Sequence, residues 1–326
     1  MTSNITLRMF GRMLFVALCS VSTAACAQYP ARPLRILIPF PAGGVADTIG
    51  RTLGEQLYVQ MGQPVVIDNR PGAGGRIAAE LMVKSEPDGY TVFVSTAGPL
   101  SISPALIKNM PYDAEKDFLP VTRVAEAINV MVVNPSNGVR NAKEFIEWAK
   151  KRAGNVRYGS SGTGQPDHLS GEFFQRLAGL QMTHVPYKGG GPALVDLVSG
   201  DIQVMFATYA VAVPHVKAGR LRVLAVTTLN RQPLLPDLPT VGESLPGFAV
   251  SNWNGVFVPA KTPAAVAEKL FVELNKALKA STVRERQNAV GIEPVGSASR
   301  DEFAKFLTAD AERWRKIIRD ANVKVE

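Results

Sequence analysis

Two turns carry most of the chemistry that this chain could do. The first, Phe40-Pro41-Ala42-Gly43-Gly44-Val45-Ala46-Asp47, follows an apolar run and leads into a helical pattern. Its glycines let a ligand approach the main chain closely. A helix beginning near Asp47 offers unpaired N–H groups and the positive end of its dipole, an anion site. Asp47 fits two roles, which can coexist. It can cap backbone donors as a helix-start residue, or accept hydrogen bonds from a ligand amino group, a hydroxyl or a bound water.

The second turn runs Tyr158-Gly159-Ser160-Ser161-Gly162-Thr163-Gly164-Gln165-Pro166-Asp167-His168. It again lies between a strand and a helix, and Pro166 suits a first helical turn. Its hydroxyls and N–H groups suit a carboxylate or a phosphate. Gly159 and Gly164 have Walker A spacing, but Gln165 stands where the lysine is needed and Pro166 where the hydroxyl is needed. Nucleotide hydrolysis of that kind is excluded. Thr163 occupies the last position of what would otherwise be a nucleophile elbow. An exported hydrolase using Ser160 or Ser161 with His168 would need the pair in hydrogen-bond geometry, with a third group orienting it.

Other candidates are weaker. Arg70-Pro71-Gly72-Ala73-Gly74-Gly75 departs from the dinucleotide fingerprint at Ile77, so its glycines serve a strand-to-helix turn instead. His168, His184 and His215 lack metal-ligand spacing, and no metal or cofactor is implied. Lys188, ahead of Gly189-Gly190-Gly191, offers a cation, although an exposed lysine is the ordinary case.

The elements that must position these turns are short apolar runs alternating with helical patterns. Strands are expected at Leu34–Ile38, Val65–Asp68 and Thr91–Ser95, with helices at Asp47–Tyr58 and Gly75–Lys84 between them. This βαβαβ order argues for parallel strands with crossover helices. The middle of the chain repeats the idea. Strands are expected at Val130–Val133, Val156–Tyr158, His184–Val185, Gln203–Phe206 and Arg222–Val226. Helices fall at Ala142–Lys151, Asp167–Leu177, Pro192–Ser199 and Val213–Ala218. After a proline-punctuated stretch come a strand at Trp253–Val258 and helices at Pro263–Ala280, Thr282–Ala289 and Arg300–Asn322. The last is amphipathic, and its Phe303, Phe306 and Trp314 are expected in a core.

Residues 1–27 have the form of a secretory leader: Arg8 and Arg12, an apolar stretch from Met13 to Leu18, and Ala25-Cys26-Ala27 at the end. Cleavage is expected after Ala27; the rival reading is a lipoprotein acylated on Cys26. Both cysteines lie in the leader, so the mature chain has no disulfide to rely on and must be stabilised by its core. Removing the two leader arginines takes the formal charge from +8 to +6. Lysine and arginine are dispersed rather than massed with aromatics, which excludes a nucleic-acid role. No segment is long and apolar enough to span a bilayer.

Together these motifs resemble the tripartite tricarboxylate transporter solute-binding proteins, the TctC or Bug family of bacterial periplasmic receptors. The resemblance is carried in order by Ile38-Pro39-Phe40-Pro41-Ala42-Gly43-Gly44 with Asp47, and by Val66-Ile67-Asp68-Asn69-Arg70-Pro71-Gly72-Ala73-Gly74-Gly75. Pro87-Asp88-Gly89-Tyr90-Thr91, Met110-Pro111-Tyr112-Asp113 and Tyr158-Gly159-Ser160 with His168-Leu169 follow. His184-Val185-Pro186-Tyr187-Lys188-Gly189 and Leu238-Pro239-Thr240-Val241-Gly242-Glu243 complete it. It implies an α/β, two-lobed, type II periplasmic-binding fold with a hinge. Lobe one would hold residues 28–97 and 228–326, lobe two 98–227, with crossings near Thr96–Gly98 and Val226–Thr228.

By the same resemblance, a small carboxylate would be captured by Phe40, Gly43, Gly44 and Asp47, with Thr96 near the hinge. Lobe two would offer Ser160, Ser161, Gly164 and Gln165, and the loop at Ala207, Thr208 and Tyr209. Two departures stand out. Many members have a serine where this chain has Gln165, and Phe-Asp where it has Phe206-Ala207. Losing that acid weakens an amino-group ligand, and Tyr209 with Gln165 would shape a pocket for another carboxylate or an aromatic acid. The implied protein is a periplasmic monomer without cofactor. Its partner would be membrane permease subunits or, alternatively, a sensor kinase.

Overall fold

The computed structural model describes residues 29–320, with 153 and 251 excepted. The leader, its cleavage after Ala27 and the acylation of Cys26 lie outside the described residues. The chain begins with β1 (Leu34–Ile38), α1 (Val45–Met61), β2 (Val65–Asn69), α2 (Arg76–Val83), β3 (Thr91–Thr96), α3 (Ser103–Leu106) and β4 (Phe118–Ala127). It continues with β5 (Asn129–Val133), α4 (Ala142–Lys150), β6 (Arg157–Ser160), α5 (Pro166–Ala178) and β7 (Thr183–Pro186). Then come α6 (Gly190–Ser199), β8 (Val204–Thr208), α7 (Tyr209–Lys217) and β9 (Arg222–Val226). The last third holds α8 (Val241–Ser244), β10 (Trp253–Pro259), α9 (Ala264–Leu278), α10 (Ser281–Asn288), β11 (Ile292–Pro294) and α11 (Arg300–Asp320).

The strands form two sheets, a six-stranded one ordered β11-β4-β10-β3-β1-β2 and a five-stranded one ordered β7-β6-β8-β5-β9. In the first, β1 pairs in parallel with β2 and β3, and β10 runs antiparallel to β3 and β4. In the second, β6 is parallel to β7 and β8, while β5 is antiparallel to β8 and β9. Leu34, Ile36, Leu37 and Ile38 are all buried. A parallel strand covered by helices on both faces needs such a largely apolar run, broken here only by the half-buried Arg35. In β5 the side chains alternate: Val130 and Val132 face one apolar cluster, and Met131 and Val133 the other. The C-terminal helix seals the first sheet. Phe303 packs 5.4 Å from Phe257, and Trp253 Nε1 donates to Asp310 at 2.7 Å.

The expected lobe boundaries move. The strand β4 lies beside β10 in the first sheet, so residues up to Ala127 belong with that sheet, and the crossing is not at Thr96–Gly98. No strand is expected there from sequence because Pro120, Arg123 and Glu126 interrupt the run. The structure accommodates Pro120 where β11 does not reach, since β11 pairs only with Ala125–Ala127. A strand edge without a partner needs no N–H. The second boundary shifts too. Val226 N–H donates to the Pro239 carbonyl at 2.9 Å, and Phe248 stacks 5.6 Å from Phe173 and 5.8 Å from Phe206. The segment up to Val250 therefore packs on the second sheet. The crossings run side by side: Ala127 N–H donates to Asn252 O at 2.8 Å, and Thr227 N–H to Asn129 O at 2.9 Å.

A polar cluster is built into the second sheet. Ser160 Oγ and His184 Nε2 are 2.7 Å apart, and the His184 ring lies 4.1 Å from that of His168 on α5 and stacks 4.9 Å from Tyr158. Burial pushes His168 down to about 3, with His184 adding to the effect, and pushes His184 itself down to about 4. Both imidazoles stay neutral in the folded chain at a pH where unfolded histidines, with pKa about 6.5, take up protons. The stability they contribute is complete above about pH 6.5 and is lost as the pH falls towards 4 and then 3. Buried Asp167 has the opposite sign. Its acid is raised to about 6 from 3.8, so it favours folding as the pH falls between those values. One carboxyl opposes two imidazoles. Thermal melting should therefore fall from pH 6.5 to pH 4.5, and less steeply in His184→Gln, which keeps a partner for Ser160. Equal slopes in both proteins would show that the imidazole is not the titrating group.

Candidate functional site

The two sheets face each other across a cleft of about 300 Å³. On one side it is lined by the loop after β1, Phe40 to Ala46, and by Thr96 at the end of β3. On the other stand Ser161, Gln165 and Asp167 at the start of α5, Gly189 to Pro192 at the start of α6, and Thr208, Ala210 and Val211 at the start of α7. Asn129, Asn252 and Asn254 line it where the crossings pass. Among the described residues, no Lys, Arg or His lines this cleft.

Four helices thus begin at one place, and their caps decide the electrostatics. The caps of α1, α6 and α7, which are Gly44, Gly189 and Thr208, provide no side-chain hydrogen bond. The first-turn N–H groups of a helix have no partner within it, and they carry the positive end of its dipole. In α5 the situation differs, because Asp167 turns back and accepts from Ser161 N–H at 2.6 Å and His168 N–H at 2.9 Å. Burial raises its acid to about 6, and these two N–H groups face its charge. The positive field in the cleft is made by backbone donors.

Asp47 shapes the first loop from behind. Its carboxylate accepts from Gly43 N–H at 2.9 Å, Arg51 Nε at 2.9 Å and Asn69 Nδ2 at 3.1 Å. Asn69 Nδ2 also donates to Phe40 O at 3.0 Å. Burial works against the charge, but the hydrogen bonds from Arg51, Gly43 and Asn69 hold the acid below its ordinary value. The side chain orients the loop and turns away from the cleft.

Of the residues proposed from sequence, Phe40, Gly43, Gly44, Thr96, Ser161, Gln165 and Thr208 line the cleft, whereas Asp47, Ser160, Gly164, Ala207 and Tyr209 do not. Ser160 is fully buried, its hydroxyl engaged by His184 and by Gly162 N–H at 3.2 Å. Gly164 donates its N–H to His168 Nδ1 at 3.2 Å and faces Ser103. Ala207 points into the apolar cluster behind the sheet. Tyr209 begins α7 rather than ending a loop, and its ring packs over Gly291, beside a separate groove with Leu221 and Leu235. His168 accepts from Gly164 inside the fold, so the pairing of Ser161 with His168 that a hydrolase would need is not formed.

Sequence reasoning missed Asn129, Asn252 and Asn254 as cleft residues, and had the Gly189-Gly190-Gly191 turn only as a weaker candidate. The asparagines left a signal: Asn254 sits inside the strand run Trp253–Val258, where asparagine is disfavoured unless something uses its amide.

The two units also touch directly. Gln165 Nε2 donates to Gly74 O at 2.6 Å. Gly74 has φ 63°, and a Cβ there would stand 2.7 Å from the Thr163 carbonyl. A Cβ on Gly98 would collide with the Gln165 amide. These glycines leave room for the buried Gln165 side chain to lie between the two units.

Residues 49–323 match the model of the TctC family, described as the tripartite tricarboxylate transporter family receptor. Protein BugT of Bordetella pertussis is 34% identical over 316 residues, 96% of this chain and 97% of its own. An R. palustris protein solved with adipate shares 33% identity at a TM-score of 0.88, over 91% of this chain and 99% of that one. MatC from Rhodopseudomonas palustris, solved with bound malate, shares 30% identity at a TM-score of 0.82, over 89% of this chain and 100% of that one. With matches that run over nearly all the described residues and a two-sheet fold shared with both structures, the chain belongs to the TctC (Bug) family of periplasmic solute-binding receptors.

Proposed function

We propose that the protein captures a small organic acid, with at least two carboxylates, between its two units and delivers it to the membrane subunits of a tripartite tricarboxylate-type transporter. The observation that carries this reading is the convergence of uncapped helix starts, α1 from one side and α6 and α7 from the other, on a cleft without a cationic side chain. A buried carboxylate is costly unless donors meet it, and charge-assisted hydrogen bonds from fixed N–H groups are strong ones. Donors on opposite walls suit a molecule with an acid at each end. The adipate and malate held by two related proteins fit that description. The family to which the chain belongs supports the transporter as the partner.

Closure would couple capture to delivery. A ligand that bridges both walls binds the closed form better than the open one, and only such differential affinity can shift the population. The contact from Gln165 to Gly74 forms between the units and favours closure whatever the ligand is.

Titration calorimetry with a panel of diacids tests the reading. Gly44 has φ −82°, and a Cβ there meets no atom closer than 3.4 Å, so Gly44→Asp should fold. Aspartate is a favoured cap and would occupy the α1 donors while repelling a carboxylate. Its melting temperature should hold or rise, while diacid binding falls by about 100-fold or more; retained affinity would remove the α1 start from the site. Gln165→Ala should weaken every acid by a similar factor, about fivefold for a lost hydrogen bond of about 1 kcal/mol. A selective loss would mean that Gln165 reads the ligand and does not merely close the cleft.

A further inference from the structure

The cleft holds a polar feature that binding of carboxylates leaves unused. Asn254 lies in β10, in register with Thr96 of β3, and is fully buried. It lines the cleft, yet neither its Oδ1 nor its Nδ2 has a hydrogen-bond partner among the described residues. Next to it, Asn252 Nδ2 donates to Asn129 Oδ1 at 3.1 Å, which leaves Asn252 Oδ1 without a partner as well. Buried polar groups are nearly always paired, and a buried amide left unpaired is expensive. An amide on a cleft wall with both its donor and its acceptor free points to a ligand group that satisfies both.

We infer that Asn254, supported by Asn252, is a specificity-determining residue that reads a hydroxyl on the carbon chain of the ligand, so that the preferred class is hydroxylated diacids. The inference rests on the carboxylate reading above, which places the acid groups at the helix starts on either wall. The asparagines stand between those walls, where the chain joining the two acids must pass. A carboxylate only accepts, and would answer Nδ2 while facing the Oδ1 lone pairs. A hydroxyl both donates and accepts, and so pairs with both atoms of one amide. A methylene pairs with neither. A site built for a hydroxyl discriminates against the analogue that lacks it, because its own polar groups are then stranded.

The test is calorimetric titration of the purified protein, stripped of bound ligand, with matched pairs of acids: succinate with malate, glutarate with 2-hydroxyglutarate, adipate with 2-hydroxyadipate. In the wild type, the hydroxylated member of the best-bound pair should bind about tenfold tighter or more. In Asn254→Leu that preference should vanish, through weaker binding of the hydroxy acid with the plain acid unchanged or improved. Asn254→Ala, which cannot overpack the strand, should behave the same way, and thermal melting checks that both variants fold. Equal binding of the paired acids by the wild type, or a preference that survives both substitutions, overturns the role of Asn254 while leaving acid capture intact. Failure of every acid to bind the folded wild type overturns the carboxylate reading, and this inference with it.

Discussion

A helix start without a side-chain cap leaves its first N–H groups to water or to a ligand. This chain does so three times at one cleft, with Gly44, Gly189 and Thr208 as caps that provide no side-chain bond. Much of the architecture follows from that constraint. The strands must end together so that their helices begin together, which parallel β1-β2-β3 and β6-β7-β8 arrangements achieve. Glycine must occupy the turns, so that the backbone and not a side chain faces the ligand. No lysine or arginine is needed, and none of the described ones is found there.

The two acidic residues in the first turns show how the same side-chain type takes two positions. Asp47 is tied down by Arg51, Asn69 and Gly43, and holds the first loop open-mouthed towards the cleft. Asp167 instead satisfies the start of its own helix, so that α5 contributes shape and little field. Its charge beside the cleft is met by the N–H groups of Ser161 and His168, while burial raises its acid to about 6. An ordinary exposed carboxylate in that place would oppose the three open helix starts.

The remaining polar groups divide between closing the cleft and reading its contents. Gln165 spans the units to Gly74 and is shaped by the space that Gly98 leaves it. The asparagines stand on the strands where the chain passes from one sheet to the other, and two of their amides keep free atoms. Ser160, His168 and His184 belong to neither group. They are packed as a neutral cluster behind the second wall, with Ser160 held by His184 and not by His168.

Much of this was legible in the residues themselves. Apolar runs such as Leu34–Ile38 and Arg222–Val226 specify strands by composition, and glycine turns before helical patterns mark where backbone donors are exposed. The ordered motifs carry the family, and with it the two-unit α/β fold. Local pattern could not place Phe118–Ala127 in the first sheet, because its charges break the apolar run and its proline is accommodated only where β11 does not reach. Nor could it assign Phe248 to the second sheet, since that depends on the rings of Phe173 and Phe206 being present. The same limit applies to side chains in the turns. Spacing along the chain puts Ser160 and Ser161, or Thr208 and Tyr209, equally near a ligand. Strand pleating sends neighbours to opposite faces, and a helix start turns Tyr209 away. Which of two adjacent residues faces the cleft is decided by the packing behind them, and packing is a property of the folded whole.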